Sequence, residues 1–312
     1  MDLDAGLNYM GFVEDRHKVW RSRQSGDRQP WTTNPILRER KFTNVFRVLD
    51  PGSQFVLSTL YEPDLDEADL LLRLFLYRHT GRLEAWRILI LTSGLPTRSN
   101  LSEVLSVWQS YRGEGKIKTQ NRTDPNSGST SHIAFERPMF TSAYLVFPQS
   151  HTPGTDKLVS IVDLTRRLFV DDASTQLSFA KATTQKDRFA ALRRNKGVGD
   201  FMAMQILTDW GYFTEDREDE FIVPGPGAVK GAAALGMKAL PACHWAHKAL
   251  SGLSISVTMP DGRRRTPSLM DAQNTLCEFS KYVRFQGKPL TGQHYRPANP
   301  GPQPEPLLPV NW

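Results

Sequence analysis

Apolar segments of helical length, each opened by a capping residue and closed by a glycine or a polar turn, dominate this chain. Asp66 opens DEADLLLRLFLYRH, and Gly81 separates that segment from LEAWRILILTS. Asn100, with Glu103 three residues later, predicts a capping box at the start of LSEVLSVWQSYR. This succession of caps and periodic apolar runs predicts a mainly α fold.

Further helical signals lie on both sides of one irregular stretch. Asn34 followed by Pro35 predicts a helix through ILRERKFTNVFRVL, and later helices are predicted over DKLVSIVDLTRRLFV, QKDRFAALRRN, the segment after Gly199 and SLMDAQNTLCEFSKYVRFQ. Residues 113–154 combine turn-forming and β-forming residues and predict an inserted loop or short hairpin. Prolines recur from Arg296 onward and predict an extended tail.

Size and composition are those of an ordinary globular protein. The 312 residues, 39% hydrophobic and 23% charged, provide enough apolar material for a buried core. That length allows one large domain or two packed ones. We expect one helical catalytic domain over residues 1–295, with the 113–154 insertion, and a proline-rich tail over 296–312.

The chain is basic, with a net charge of +6 and a pI near 9.3. An excess of this kind favours an anionic partner such as nucleic acid, although many basic proteins bind none. Basic residues concentrate within 16–23, 38–47, 186–196, 263–265 and 281–288. For most of these clusters, taken one at a time, a solvated helix face is the simpler interpretation.

The two cysteines, Cys243 and Cys277, are too few for a disulfide framework and favour a reducing compartment. The acidic N-terminal stretch lacks a long apolar core, so we expect no signal peptide, no membrane span and a cytoplasmic location. The CHWAH segment at Cys243–His247 resembles a zinc motif. Three ligands on one helical turn cannot easily surround a tetrahedral ion, so we expect no metal site.

Lys196 to Tyr212, KGVGDFMAMQILTDWGY, places a Gly-Val-Gly turn directly before an apolar helix. Helix-hairpin-helix elements present backbone N–H groups to DNA phosphates in this way, and Gly199 would be the contact. The following helix carries Gln205 on one side, with Asp209 at its margin. An ordinary tight turn followed by a core helix remains the alternative.

A second glycine-rich segment, PGPGAVKGAAALGMK, runs from Pro224 to Lys238. Gly225, Gly227 and Gly231 surround Lys230 and open a helix, an arrangement that suits a phosphate or pyrophosphate. Val229 stands where a Walker A loop requires glycine, and the chain has no other match to that motif. Glycines required for close helix packing are the alternative.

The last predicted helix, MDAQNTLCEFSKYVR, is amphipathic, and its polar side mixes acids, an amide, a lysine and a tyrosine. Such residue types can transfer protons and hold a polar base edge, although a solvated face would look similar. Cys277 lies between the two faces, where a small buried cysteine is the commoner role. The polar side consists of Asp271, Asn274, Glu278, Lys281 and Tyr282.

Six blocks, in order over most of the chain, resemble the helical domain shared by alpha-glutamyl/putrescinyl thymine pyrophosphorylases and phage 5-hydroxymethyluracil DNA kinases. Residues 113–154 and the last four residues carry none of this resemblance. The blocks are EDRHKVWRSRQSG, PWTTNPILRERKFTNVFRVLD, LFLYRHTGRLEAW, GVGDFMAMQILTDWGY, VPGPGAVKG and SLMDAQNTLCEFSKYVR.

The resemblance implies a glycosylase-like helical fold and a transferase that acts after a kinase. The kinase would convert 5-hydroxymethyluracil in DNA to its pyrophosphoryloxymethyl derivative, and this chain would replace the pyrophosphate with an amino acid or polyamine. The partners would be DNA containing modified thymine, flipped from the duplex, the amine, and the kinase. No cofactor is required, although a divalent metal ion is compatible with a pyrophosphate leaving group. A phage-encoded protein would act in the host cytoplasm.

The same resemblance transfers candidate site residues onto this sequence. FTNVFR supplies Thr43, Asn44 and Arg47 as contacts to the base or its phosphate; MQILTDW supplies Gln205 and Asp209; GPGAVKG supplies Gly225, Gly227 and Lys230; and DAQNTLCEFSKY supplies Asp271, Asn274, Glu278 and Lys281. Glu278 or Asp271 would deprotonate the amine, and Lys281 would orient that carboxylate or contact phosphate. Attack by a Cys277 thiolate is a competing route.

Two other functions remain open from the sequence. The Gly-Val-Gly turn is compatible with a DNA glycosylase that removes a modified thymine and leaves an abasic site. The other alternative is a non-catalytic DNA-binding module that recruits a kinase, which would tolerate loss of Glu278 or Asp271 while depending on its basic clusters.

Overall fold

The computed structural model describes residues 2–113, 122–123, 130–131, 139–140, 156–214, 219–290, 295 and 301–309. Within these ranges the chain forms thirteen α-helices and four short strands, which confirms the predicted mainly α fold. The contacts divide it into two compact units. The first comprises 1–59, 183–189 and 203–312, and the second comprises 60–182 and 190–202.

The helices are α1 (Leu3–Gln24), α2 (Pro35–Glu39), α3 (Pro51–Phe55), α4 (Glu67–Thr80), α5 (Leu83–Ser93), α6 (Leu101–Gly113), α7 (Lys157–Arg166), α8 (Ser174–Ala180), α9 (Gln185–Arg193), α10 (Asp200–Trp210), α11 (Pro226–Ala234), α12 (Ala239–Ser251) and α13 (Leu269–Phe285). The strands are β1 (Arg122–Thr123), β2 (Thr130–Ser131), β3 (Val257–Thr258) and β4 (Arg264–Arg265). A 3-10 turn spans Arg47–Leu49, and π-helical turns span Val56–Leu60 and Arg167–Asp171.

In the first unit, α13 is the central helix and packs against α11, α12 and α1. Its Phe279 ring meets the Tyr9 ring of α1 edge-on, with centroids 5.3 Å apart. The buried Tyr9 hydroxyl lies 2.6 Å from the Thr275 hydroxyl, so its polar end is satisfied inside the core. Gly231 of α11 lies so close to the Leu276 carbonyl that a β-carbon there would overlap it. The approach of α11 to α13 therefore depends on this glycine.

The second unit is built on α4, which contacts α7, and on the α5–α6 pair. Asp66 caps α4 through the N–H groups of Ala68 and Asp69, as predicted, and Gly81 ends the helix with a left-handed φ of 63°. The buried rings of Trp86 and Trp108 meet edge-on, with centroids 5.5 Å apart.

The predicted helix from Asn34 through Leu49 is wrong beyond its first turns. Asn34 caps α2 as expected, but the helix ends at Glu39, and Arg40 takes an extended conformation with φ −122° and ψ 143°. Apolar residues recur at helical spacing through this segment, but the residues after Glu39 do not continue the helix. Side chains distant in sequence bind the backbone of the following residues, and those tertiary hydrogen bonds outweigh local helix propensity.

The predicted 113–154 insertion lies mostly outside the described residues. Within it, β1 pairs with β2 in antiparallel fashion, Arg122 opposite Ser131. Residues 301–309 of the proline-rich segment form neither helix nor strand. Across the described part of the chain, no helix combines the length and apolar character needed to cross a bilayer.

Candidate functional site

Residues 40–50, here called the site loop, follow α2 in the first unit, and side chains from other segments hold them in an irregular course. Arg16 of α1 donates from Nε to the Thr43 carbonyl at 2.8 Å and from Nη2 to the Phe42 carbonyl at 3.2 Å. Its Nη2 also donates to Asn44 Oδ1 at 2.5 Å. One guanidinium thus satisfies two backbone acceptors that a helix would have satisfied internally.

Asn44 and Asp50 close the site loop on itself. The Asn44 N–H donates to Asp50 Oδ1 at 2.8 Å, and Asn44 Nδ2 donates to the Leu49 carbonyl at 2.7 Å. Asp50 stands at the N-cap position of α3, yet its side chain makes no capping hydrogen bond. This carboxylate is therefore committed to the loop and not to the helix behind it.

Helix α13 binds the site loop from the opposite direction. Glu278 Oε2 accepts the Thr43 N–H at 2.9 Å, and Asn274 Nδ2 donates to the Asn44 carbonyl at 3.1 Å and to Thr43 Oγ1 at 3.2 Å. Two of the predicted α13 residues therefore lie directly against two of the predicted loop residues. The side chain of Glu278 is 15% exposed, so it lies at the margin of this arrangement.

Asp271 occupies the interior of the arrangement and is saturated with donors. Its Oδ1 accepts the Arg47 N–H at 2.7 Å. Its Oδ2 accepts the Ser268 N–H at 3.0 Å and the Ser268 hydroxyl at 3.1 Å, which completes a capping box at the start of α13. Asp271 is 1% exposed and thus combines helix capping with anchoring of the site loop.

Arg47 connects the site loop to α10. Its Nη2 donates to Gln205 Oε1, and both residues are buried. Asp209 lies one helical turn beyond Gln205 and is fully buried. The structure therefore brings together residues from α1, the site loop, α10 and α13. We call the hydrogen-bonded set the polar cluster: Arg16, Thr43, Asn44, Arg47, Asp50, Gln205, Asp271, Asn274 and Glu278.

Burial dominates the electrostatics of the polar cluster. It raises the pKa of Asp50 to about 7, although the Asn44 N–H and the charges of Arg16 and Arg47 oppose the shift. Burial also raises the pKa of Asp271, against the Arg47 and Ser268 N–H groups that stabilise its charge. It lowers the pKa of Arg16. The cluster thus holds charges that water would otherwise stabilise better.

Lys281 and Cys277 lie on α13 beside the polar cluster. Lys281 Nζ donates to the Lys41 carbonyl, lies 3.6 Å from Glu278 Oε2 and stands 4.5 Å from the centroid of the Phe42 ring. Burial and the nearby Glu278 charge raise the pKa of the Cys277 thiol. The Cys277 thiol is therefore mainly in its neutral form at neutral pH. Lys281 contributes the basic side chain beside the polar cluster.

The glycines of the second predicted motif are used for packing. A β-carbon on Gly227 would overlap the Cys277 sulfur, and Gly231 abuts the Leu276 carbonyl. Gly225 is the buried N-cap of α11, and Lys230 is exposed. Close contact between α11 and α13 therefore explains why glycine stands at 227 and 231. Close helix packing is the alternative that the sequence left open for this motif.

The Gly-Val-Gly turn joins α9 to α10, and the residues around it belong to the second unit. Gly197 takes a φ of 106°, Val198 is fully buried, and the Val198 carbonyl accepts a hydrogen bond from Arg193. Arg194 and Lys196 are exposed. Gly199 and the turn therefore belong to the second unit, whereas the polar cluster belongs to the first.

The sequence alone does not identify Arg16 and Asp50 as members of the polar cluster. Arg16 belongs to a run of basic residues that is compatible with a solvated helix face, and only its contacts to the site loop reveal its role. Asp50 precedes Pro51 and has the signature of an ordinary helix cap. No pattern within the sequence distinguishes a capping aspartate from one that turns back onto a loop.

The CHWAH segment lies on α12. Cys243 is fully buried and burial raises the pKa of its thiol to about 11, while His247 Nε2 lies 3.4 Å from Asp219 Oδ1. In the parts of the chain that the structure describes, no three His, Cys, Asp or Glu side chains gather in a way that would hold a metal ion.

Comparison with protein families places the chain. A family model described as 5-hmdU DNA kinase, helical domain, matches residues 5–292, a range that contains the whole polar cluster. No curated protein matches the chain, and no solved structure matches it. The narrower resemblance to thymine pyrophosphorylases stays a prediction. The chain belongs to the family defined by the helical domain of 5-hmdU DNA kinase.

Proposed function

We propose that this protein takes part in thymine hypermodification of DNA, as a transferase that replaces the pyrophosphate of 5-(pyrophosphoryloxymethyl)uracil with an amine or amino acid. The bond between the 5-methylene carbon and the pyrophosphate oxygen breaks, and a carbon–nitrogen bond forms. The amine releases a proton, and pyrophosphate leaves. Family membership supports a modified thymine as substrate. The lack of a P-loop supports a step other than phosphorylation.

The polar cluster is the observation that carries this proposal. Asn44, Arg47, Gln205, Asp271 and Asn274 are all buried, although burying charged and amide groups is costly. Strongly perturbed pKa values are typical of functional sites. A site that recognises a uracil edge and handles an anionic leaving group needs amides, cations and a carboxylate in one place.

Glu278 is the better of the two predicted proton acceptors. All donors to Asp271 are structural, and its side chain is enclosed. Within the described residues, the single hydrogen bond to Glu278 comes from Thr43 and reaches Oε2. Its Oε1 can therefore accept a proton from the incoming amine at the margin of the cluster.

Lys281 is the cation proposed to stabilise the departing pyrophosphate. Its side chain is 31% exposed, and its Nζ lies beside the Glu278 carboxylate. A lysine at this place suits a pyrophosphate leaving group, because a cation attracts phosphate oxygens. Asn274 and the Thr43 hydroxyl are proposed to contact the base edge, and the base would reach them by flipping out of the duplex.

The deciding experiment supplies duplex DNA containing one 5-(pyrophosphoryloxymethyl)uracil, a panel of amino acids and polyamines, and either magnesium or a chelator. A nucleoside of increased mass together with released pyrophosphate supports the transferase. An abasic site supports a glycosylase instead. Binding without any change of nucleoside mass supports a non-catalytic module that accompanies a kinase. Glu278→Gln serves as the matched inactive variant.

A further inference from the structure

Two glutamines, one at the end of α1 and one on α3, hold the proline-rich segment 301–309 within the first unit. Gln24, at the end of α1, donates from Nε2 to the Pro304 carbonyl at 2.6 Å and accepts the Gln303 N–H on its backbone carbonyl at 3.1 Å. Gln54 of α3 accepts the Leu307 N–H on Oε1 at 2.8 Å and donates from Nε2 to the Leu307 carbonyl at 2.9 Å. The Gln54 side-chain amide therefore binds both the N–H and the carbonyl of Leu307, as the backbone of a neighbouring strand would.

The Gln54 side chain also reaches the site loop. Its Nε2 donates a second hydrogen bond, at 2.7 Å, to the carbonyl of Val48, which is 1% exposed. Val48 follows Arg47, whose N–H binds Asp271 and whose guanidinium binds Gln205. One amide group thus joins residues 301–309 to the turn that carries Arg47.

This connection matters because the turn is short. Arg47–Leu49 is a 3-10 turn of three residues, and so brief an element has little stability of its own. A buried carbonyl that loses its donor costs about 1–3 kcal/mol. Prolines at 302, 304, 306 and 309 lower the entropy that the segment loses when it docks, since their φ angles are fixed in advance.

We infer that residues 301–309 act as a brace that positions Arg47 in the polar cluster, with Gln54 as the positioning residue through which the brace works. The inference rests on the proposed function for its catalytic consequence. Its structural consequence, a fixed Arg47 N–H on Asp271, is independent of the reaction.

The test starts from two replacements of Leu307, one that removes its N–H and one that keeps it. Leu307→Pro removes the donor to Gln54 Oε1, whereas Leu307→Ala keeps it and loses only a side chain that is 48% exposed. A chain ending at residue 300 and Gln54→Ala complete the set. Amide hydrogen exchange at residues 44–49 is measured in each, together with kcat and KM for pyrophosphate displacement.

The brace predicts that Leu307→Pro, the truncation and Gln54→Ala each speed exchange of the Arg47 N–H by about tenfold, the factor that corresponds to about 1.4 kcal/mol. Leu307→Ala should match the unmodified protein. The truncation should add nothing in the Gln54→Ala background, because both changes remove the same coupling. A peptide of residues 301–312 added to the truncated protein should slow the exchange again.

Unchanged exchange at Arg47 in the truncated protein overturns the inference, and so do additive effects of truncation and Gln54→Ala. If exchange responds as expected but the unmodified protein does not displace pyrophosphate, the brace stands and the proposed reaction fails. If the reaction occurs, the same three changes should lower kcat with little change in KM.

Discussion

The Glu278 carboxylate accepts a hydrogen bond from the Thr43 backbone N–H at 2.9 Å, although 235 residues separate the two in sequence. This contact fixes one carboxylate oxygen and leaves the other at the margin of the polar cluster. Asp271, seven residues earlier on α13, has both oxygens engaged by Arg47 and Ser268. The two acids of one helix therefore differ in their contacts, and the proposed function assigns proton transfer to Glu278 and a structural role to Asp271.

Exchanging each acid for its amide should separate these roles. Glu278→Gln should lower kcat for pyrophosphate displacement by about 10²–10⁴-fold, the usual worth of a general base, with little change in the free energy of unfolding. Asp271→Asn should instead lower the free energy of unfolding by about 1–3 kcal/mol, because the amide cannot accept all three donors. Urea titration and steady-state kinetics of both variants measure the difference. Equal kinetic losses without destabilisation would contradict it.

Cys277→Ser should retain most of the turnover. Burial raises the pKa of this thiol, and its sulfur lies against Gly227, so little thiolate is available to attack the base. The fully buried Cys243→Ser provides a matched control for the general effect of losing a thiol. Loss of turnover in Cys277→Ser alone, with unchanged DNA binding, would establish the thiolate route in place of the Glu278 route.

Gly231→Ala should destabilise the first unit. A β-carbon at this position would overlap the Leu276 carbonyl, which belongs to the backbone of α13 and cannot turn aside. The expected loss is about 1–3 kcal/mol, as for other overpacked interiors. Lys230→Ala, its exposed neighbour, should leave the melting temperature unchanged. If Lys230 nevertheless holds pyrophosphate, as the motif predicts, its replacement should slow pyrophosphate release more than it weakens binding to unmodified DNA.

Asp50 should make stability depend on pH between about pH 4 and 7. Burial raises its pKa from 3.8 to about 7, so over this interval the folded protein holds a proton that the unfolded chain has released. The contribution of Asp50 is therefore fully present below about pH 4 and is lost as the pH rises through 7. Arg16, Arg47 and Glu278 are the charged groups that face it.

Asp50→Asn isolates this effect, because its side chain does not titrate and can still accept the Asn44 N–H. The stability of the unmodified protein relative to Asp50→Asn should decrease between pH 4.5 and 7.5 in urea titrations. A constant difference between the two proteins would show that Asp50 titrates as an ordinary exposed carboxyl.

The hairpin between α9 and α10 should contribute to DNA binding through phosphate contacts. Arg194 and Lys196 are exposed there, and each phosphate contact adds about 0.9 to the slope of log affinity against log salt on duplex DNA. The double replacement Arg194→Gln with Lys196→Gln should reduce that slope by about 2 at most. Arg166→Gln, an exposed arginine paired with Asp171 at 3.0 Å, should leave it unchanged. Equal slopes for both variants would exclude a special role of the hairpin.

Local sequence determined the elements whose partners lie within a few residues. Asp66, Asn34 and Ser268 cap helices through N–H groups two or three positions away, so their effect is independent of the rest of the chain. The amphipathic pattern of α13 likewise predicted which of its side chains would face polar partners. Asn274 and Glu278 both bind the site loop.

Only the tertiary structure decided the course of the site loop. Its apolar residues have helical spacing, and the predicted helix failed because the partners of its backbone lie elsewhere. Arg47 binds Asp271 across 224 residues, and Arg16 binds Thr43 across 27. The sequence by itself determined the helical class, the caps and the family. The polar cluster depends on long-range hydrogen bonds from Arg16, Gln205 and α13, which form only when α1, α10 and α13 surround one loop, so no local pattern encodes them.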